Sequence, residues 1–401
     1  MLLNFYTYLG ARILVSIASS MLSVAIGWHL FTYSGDPFDL ALVGLLQITP
    51  LILLFIISGL VVDHFPRKYI LITCALLEAG VYVGLGYSMN DGDLNRQMIF
   101  TLILLHGTVR AFYSPASDAI LIHLVSDEYL SRAVAITSSM WTTAQTLGPL
   151  AAGLLLAWLD YDLYWVLSGI VTLGSLLFSI LPNIKVDKPS GRGLKQLLGG
   201  IRYVKDSPIV LPSISLDLFI VLCGSVMVLL PVYAIEVLNV DEKMLGLMRA
   251  MPALGGVMMG ILITKMPPMR QAGKLLFTAL AIFSCSILIF AWSATLWISL
   301  VALWVYGASD MISVNIRSSL IQLATPDHLR GRVSAVNMLF IGISNEMGDF
   351  RGGAVAALVG PVMTVLAGAV MAFAVTFGGY ALFPKLRDLD KLTDAKVNNE
   401  T

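Results

Sequence analysis

Apolar stretches of about 20 residues or more, separated by short polar turns, recur along almost the whole of this 401-residue chain. Strands that cross a bilayer are about 10 residues long and alternate polar with apolar positions, so runs of this length select helices. Composition agrees, with 57% hydrophobic and 12% charged residues against roughly 25% charged in soluble domains. The chain is therefore expected to be an all-α integral membrane protein with twelve transmembrane helices, over residues 4–31, 39–62, 69–89, 98–123, 133–159, 163–181, 209–235, 244–264, 273–291, 296–323, 333–359 and 362–383. Cys74, Cys223 and Cys285 all lie inside such runs as small apolar residues, with no disulfide or zinc spacing. His29, His106 and His123 match no metal spacing and are expected to be packed or interfacial. No cofactor, metal or nucleic acid is expected, and the lack of Lys or Arg before Arg12 argues against a cleaved signal peptide.

Orientation follows from the basic residues. Of the 25 lysines and arginines, only Arg96 and Lys243 fall in outer loops when the N-terminus is inside, and five lie within spans. The positive-inside rule then places both termini in the cytoplasm. The longest polar segment, 183–207, is a cytoplasmic linker between an N-terminal bundle (1–182) and a C-terminal one (208–384), followed by a cytoplasmic tail (385–401). Leu194, Leu197, Leu198 and Ile201 give part of the linker the spacing of a surface helix. The halves repeat each other: Gly44, Leu45 and Pro50 return as Gly246, Leu247 and Pro252, Asp127 and Arg132 as Asp327 and Arg332, Gly148 and Gly153 as Gly348 and Gly353. Matches at nearly one offset imply two six-helix bundles of one topology.

Eleven charged residues lie within or at the rims of spans: Arg12, Glu78, Arg110, Asp118, Asp217, Arg249, Asp310, Arg317, Glu346, Asp349 and Arg351. Each costs about 2.5 kcal/mol or more at mid-bilayer, so each needs a partner, water or substrate. Asp63, Asp118 and Arg317 sit toward cytoplasmic helix ends, where a latch is expected. Asp118 would accept from Arg67, and Asp63 would face the positive N-terminal end of the eleventh helix near Val333. Glu346 and Asp349, three apart, share a face of that helix.

The turn Gly59 to Lys68 resembles the loop signature of the major facilitator superfamily, G-x-x-x-D-[RK]-x-G-[RK]-[RK], with Gly59, Asp63, Arg67 and Lys68 in place, His64 for a base and Pro66 for a glycine. In the second half this signature has decayed to Gly260, with Thr264 for the Asp and Pro268-Met269 for the bases. Gly148-Pro149 and Gly153 resemble G-x-x-x-G-P-x-x-G-G, a pattern that the family associates with proton-exchanging exporters; physically it suggests a packed, bendable contact between the halves. The run Leu323 to Gly353 is similar to the branch that contains bacterial enterobactin exporters.

The resemblance implies that spans one, four, seven and ten line a central cavity. These carry Arg12, Arg110, Asp217 and Asp310, expected to bind substrate, with Arg110 and Asp310 repeat equivalents. Asp310 is the first choice for the coupled proton, Asp217 the second and Glu346 the rival. Gly59, Asp63, Arg67, Lys68, Asp118, Gly148 and Pro149 are the expected gating residues. Glu78, on a helix outside the cavity, is expected to be satisfied by neighbouring helices. The implied function is secondary active transport by alternating access: proton-coupled export of a siderophore or similar amphipathic organic anion, with multidrug efflux or siderophore uptake as alternatives. The expected partners are a small-molecule substrate, protons and lipid, with the chain acting as a monomer in a bacterial inner membrane. No G-x-x-x-x-G-K-[ST] loop supports a primary pump. An intramembrane aspartyl protease would need Tyr161-Asp162 and Gly348-Asp349, but the first lies in an outer loop and Glu346 replaces a required glycine.

Overall fold

The structure, a computed structural model, describes residues 2–90, 95–183, 201–265, 270–326 and 329–395. No strand occurs among them, as hydrocarbon demands of a chain that must satisfy its backbone internally. The main helices are α1 (Leu2–Ser34), α2 (Pro37–Leu53), α3 (Phe55–His64), α4 (Arg67–Asn90), α5 (Arg96–Leu124), α6 (Asp127–Leu159) and α7 (Leu163–Ile180). They continue as α8 (Val210–Gly224), α9 (Glu242–Lys265), α10 (Ala272–Trp292), α11 (Leu296–Ala324), α12 (Arg330–Val359) and α13 (Pro361–Leu382). Among the described residues eight helical runs are long and apolar enough to cross a membrane, or nine if the bent pair α2–α3 is one span. The longest, Arg132–Ile180, has 49 residues, about 70 Å at 1.5 Å per residue, more than twice a hydrocarbon core of about 30 Å. It divides at the 3-10 turn Asp160–Asp162, where Asp160 takes φ +47°.

Two expected spans are not straight. Residues 39–62 bend by 58° between α2 and α3, a turn beyond Pro50. Leu54 N still donates to Pro50 O at 2.8 Å and Ser58 N to Leu54 O at 2.7 Å, so the ladder is bent rather than ended. Residues 209–235 break after Gly224: Ser225 is extended, and short 3-10, α and π turns follow through Val237. Gly224 has low helix propensity and Pro231 brings no N–H to the ladder, which explains why an apolar run does not make one helix.

The chain forms two compact units. The first holds residues 1–35, 42–191 and 240–250; the second holds 36–41, 192–239 and 251–401. In the first, α1 packs on α6 and α7, and α4 on α5 and α7, around the fully buried Phe5, Tyr8, Tyr82, Tyr164 and Phe178. In the second, α10 packs on α11 and α13, and α8 on α12 and α13, around Tyr233, Phe283 and Phe290. The expected linker falls mostly outside the described residues, as do Leu194, Leu197, Leu198, Pro268, Met269, Asp327 and His328. Residues 201–206 are helical, and the Tyr203 hydroxyl donates to the Ala324 carbonyl at the end of α11. The start of the expected tail is docked: Leu386 and Leu389 are buried, and Ala272 N and Gly273 N donate to Asp390 O and Leu389 O at 3.0 Å, capping α10.

Candidate functional site

In the first unit the charged site stands on α1 and α5. Tyr8 and Arg12, one turn apart on α1, share a face. The buried Tyr8 hydroxyl donates to the Ser117 carbonyl at 2.9 Å, with the Ser117 hydroxyl also 2.9 Å away. Arg12 Nη1 then donates to Tyr8 Oη at 2.6 Å and to Asp118 Oδ1 at 3.1 Å. Asp118 is therefore held by Arg12, not by Arg67 as expected, because adjacent positions on α5 point Ser117 and Asp118 at one turn of α1. Arg67 Nε and Nη1 are buried without hydrogen-bond partners among the described residues. The Asp118 side chain is 66% exposed and that of Arg12 20%, so this pair is open. Beside it Arg12, Ser16, Thr137, Met140 and Trp141 line a shallow crevice. Arg110, two turns before Asp118 on α5, donates to Gln47 Oε1 at 3.0 Å. Gly107 permits this approach of α2, since a Cβ there would stand 2.6 Å from the Gln47 carbonyl.

The second unit holds the counterpart on α8 and α11. Arg317 Nη1 lies 2.5 Å from Asp217 Oδ1, and Arg317 Nε donates to Ser313 Oγ at 3.0 Å. Their side chains are 6% and 10% exposed. Arg317, expected near a cytoplasmic helix end, is thus the buried partner of Asp217. Asp310, Ser313 and Arg317 recur at i, i+3 and i+7 along one face of α11. Asp310 feels the charges of Arg317 and Asp217 without joining their contact. At the break after α8, Ser225 Oγ donates to Asp349 Oδ1 at 2.7 Å, with the half-buried Glu346 one turn earlier on α12.

The loop signature is tied into the first unit by Lys68, whose Nζ donates to the Leu181 carbonyl at 2.6 Å. A cation at the C-terminal end of α7 also suits the helix dipole. Asp63 is exposed, and a Cβ at Gly59 would meet nothing within 4 Å. Gly148 packs inside the first unit, on α1, where a Cβ would stand 2.7 Å from Ser20 Cβ. Gly148 itself thus packs within its own expected half, whereas Pro149 and Gly153 do meet the expected C-terminal half, the Pro149 carbonyl standing 2.7 Å from a Cβ placed at Gly246. The repeat equivalent of Gly148, Gly348, meets Ser225 Cβ at 3.2 Å. Gly153 lies against the head of α9, with Glu242 O and Gly246 Cα 2.7 Å from a Cβ placed there. Gly353 lies against the head of α2, where Ala41 N and Pro37 O would be at 2.7 Å.

Glu78 is met by a neighbouring helix, as expected, with His106 Nδ1 of α5 2.7 Å from its Oε1, and the Tyr82 hydroxyl one turn along α4 donates to the same oxygen at 2.7 Å. His29 is likewise packed, 3.1 Å from Tyr164 Oη and 2.9 Å from Asp160 Oδ1. Among the described residues no group of three or more His, Cys, Asp or Glu is placed to hold a metal ion. Sequence reasoning missed the partners Asp118 and Arg317. The signal was present: Arg12 and Asp217 differ by 205 positions and Asp118 and Arg317 by 199, both near the repeat offset.

The family model of the Major Facilitator Superfamily matches residues 8–348. The enterobactin exporter EntS of Citrobacter koseri is 24% identical over 389 residues, covering 94% of this chain and 91% of that protein. A Na(+), Li(+), K(+)/H(+) antiporter of Planococcus maritimus is 23% identical, covering 78% of this chain and 82% of its own. A bacterial homolog to the human lysosomal transporter Spinster, solved inward-facing and unoccupied, superposes with TM-score 0.75 at 14% identity, over 96% of this chain and 98% of that one.

Proposed function

Because this chain belongs to the Major Facilitator Superfamily and is a multi-pass membrane transporter rather than an enzyme, we propose that it is a proton-coupled exporter of an amphipathic organic solute bearing anionic oxygens, siderophores being the first class to test. The observation that carries this proposal is the distribution of charge inside the helices. On α1 and α5 the first unit offers guanidinium groups at Arg12 and Arg110 beside the acid Asp118. On α8 and α11 the second offers Asp217 and Asp310 beside the base Arg317. Planar, permanently charged guanidinium groups suit carboxylate or catecholate oxygens. The exporter and antiporter names of the two relatives point the same way.

Antiport requires that solute and proton exclude each other. Anionic oxygens on an arginine do not give that sign alone, since added negative charge favours protonation of a nearby acid. Exclusion comes from the solute's hydroxyl or amide donors, which bind an ionised carboxylate and lose their acceptor when it takes a proton. Asp310 is the stronger candidate for this acid, because Asp217 is engaged with Arg317. Glu346 is the rival. Gating is assigned to the turn of Gly59, Asp63, Arg67 and Lys68 and to the Gly148-Pro149 segment. Both termini are cytoplasmic and the chain acts as a monomer.

Proteoliposomes with an imposed pH gradient test this directly. A catechol siderophore, a macrolide and a cationic dye are added in turn, and dissipation of the gradient is followed. Release of protons on addition of the siderophore supports the proposal. Release only with the dye or macrolide makes the protein a multidrug exporter, and solute movement with no effect on the gradient removes proton coupling. Arg110→Lys should lower siderophore flux about tenfold or more through loss of the bidentate fork; unchanged flux would make Arg110 structural.

A further inference from the structure

The first unit buries two ionisable groups that the transport mechanism above does not use. Glu78 lies midway along α4 and His106 on α5, 4% and 3% exposed. Oε1 of Glu78 accepts from Tyr82 and stands 2.7 Å from His106 Nδ1. That approach is an ion pair only when the imidazole carries a second proton. Glu78 Oε2 and His106 Nδ1 are buried without hydrogen-bond partners among the described residues. The other titratable groups around them are Cys74 and Tyr82 on α4 and Arg110 and Tyr113 on α5. Against α4, α7 carries only Tyr164 as an ionisable side chain, and that group serves His29. On α2 and α3 the ionisable groups are Asp39, Asp63 and His64, at their ends.

A carboxylate beside a neutral imidazole leaves one uncompensated negative charge away from water, at a cost of several kcal/mol. One proton makes the pair neutral, whether it rests on the imidazole or on the carboxyl. A second proton would make the pair positive, with Arg110 one turn along α5 from His106. The pair therefore has room for one proton and resists two. We propose that Glu78 and His106 form a second proton-binding site, separate from the acids of the second unit, whose occupancy is tuned by the charge of Arg110. An anion held at Arg110 would favour the bound proton. This site thus has the opposite coupling sign to Asp310 and acts as a pH sensor of the arginine rather than as the driver of antiport. The tuning rests on the transport proposal; the site itself does not.

The test uses no solute, so its outcome is independent of whether transport occurs. The full chain is placed in lipid nanodiscs with 15N-labelled histidine, in a variant whose other four histidines, His29, His64, His123 and His328, are Gln. Imidazole nitrogen shifts and the infrared carboxyl band are followed from alkaline to acidic pH. The expected result is uptake of one proton by His106 and Glu78 in a single step. Glu78→Gln should abolish that step, and Arg110→Gln should tighten it about tenfold, as removal of a nearby charge predicts. If the histidine-reduced chain does not fold, the infrared difference between the unaltered chain and Glu78→Gln gives the same step. An imidazole that titrates identically with Glu78→Gln, or not at all in the folded protein, overturns the site. An Arg110→Gln midpoint equal to that of the parent overturns the coupling.

Discussion

The first unit pairs a base on α1 with an acid on α5, Arg12 with Asp118, whereas the second pairs an acid on α8 with a base on α11, Asp217 with Arg317. Repeat-equivalent helices thus keep the contact and reverse its polarity. Burial differs as well: the first pair has a side chain 66% exposed, while neither side chain of the second exceeds 10%. An open pair can exchange its partner for water or solute at little cost, but a buried one cannot. The first pair is therefore the adaptable one, and the second fixes α8 against α11 while leaving Asp310 outside the pairing.

The largest effect should come from cutting the buried pair. Arg317→Ala leaves Asp217 charged and unpaired, which should cost about 3–5 kcal/mol in unfolding from detergent micelles. Asp118→Ala in the open pair should cost about 1 kcal/mol or less. Equal losses would erase the distinction between the units. Reversing both charges, Asp217→Arg with Arg317→Asp, gives the second unit the polarity of the first and should recover most of the lost stability while abolishing proton-driven transport. Failure to recover would mean that burial of the second pair tolerates only one polarity.

The glycines should behave alike in both units, in contrast to the charges. Gly153→Ala and Gly353→Ala each put a methyl 2.7 Å from backbone atoms, and each should lower stability by about 1–3 kcal/mol, as overpacking does. A large difference between them would show that one contact yields and the other does not. The smallest effect is expected at Gly59, where nothing lies within 4 Å of an added Cβ. Gly59→Ala should raise helix stability by about 1 kcal/mol or less, so any loss of transport there must arise from motion rather than packing.

The all-α, multi-span character was legible in the sequence because hydropathy is a one-dimensional signal, although eight or nine runs among the described residues, not the expected twelve, are long and apolar enough to cross a membrane. The bend after Pro50 and the break at Gly224–Ser225 were partly legible, in Pro50, Gly224 and Pro231 themselves. Side-chain partners were not. A helix that is apolar nearly all round gives little sign of which face meets which neighbour, so Asp118 could be matched with Arg67 on loop position alone, while α1 in fact presents Arg12. Arg317 was read as interfacial for the same reason, although its offset from Asp118 marked it as the mirror of the first pair. Glu78 was better placed, because a buried acid must find its partners nearby, here Tyr82 one turn along its own helix and His106 on the adjacent α5.

The central claim is that the unpaired acid of the second unit carries the transported proton. Asp310→Asn is compared with the unaltered protein in proteoliposomes, using whichever solute dissipates the pH gradient. Accumulation driven by a pH gradient and exchange of labelled for unlabelled solute without one are both measured. The account predicts that Asp310→Asn loses the first and keeps the second. An Asp310→Asn protein that still accumulates solute against its gradient contradicts it.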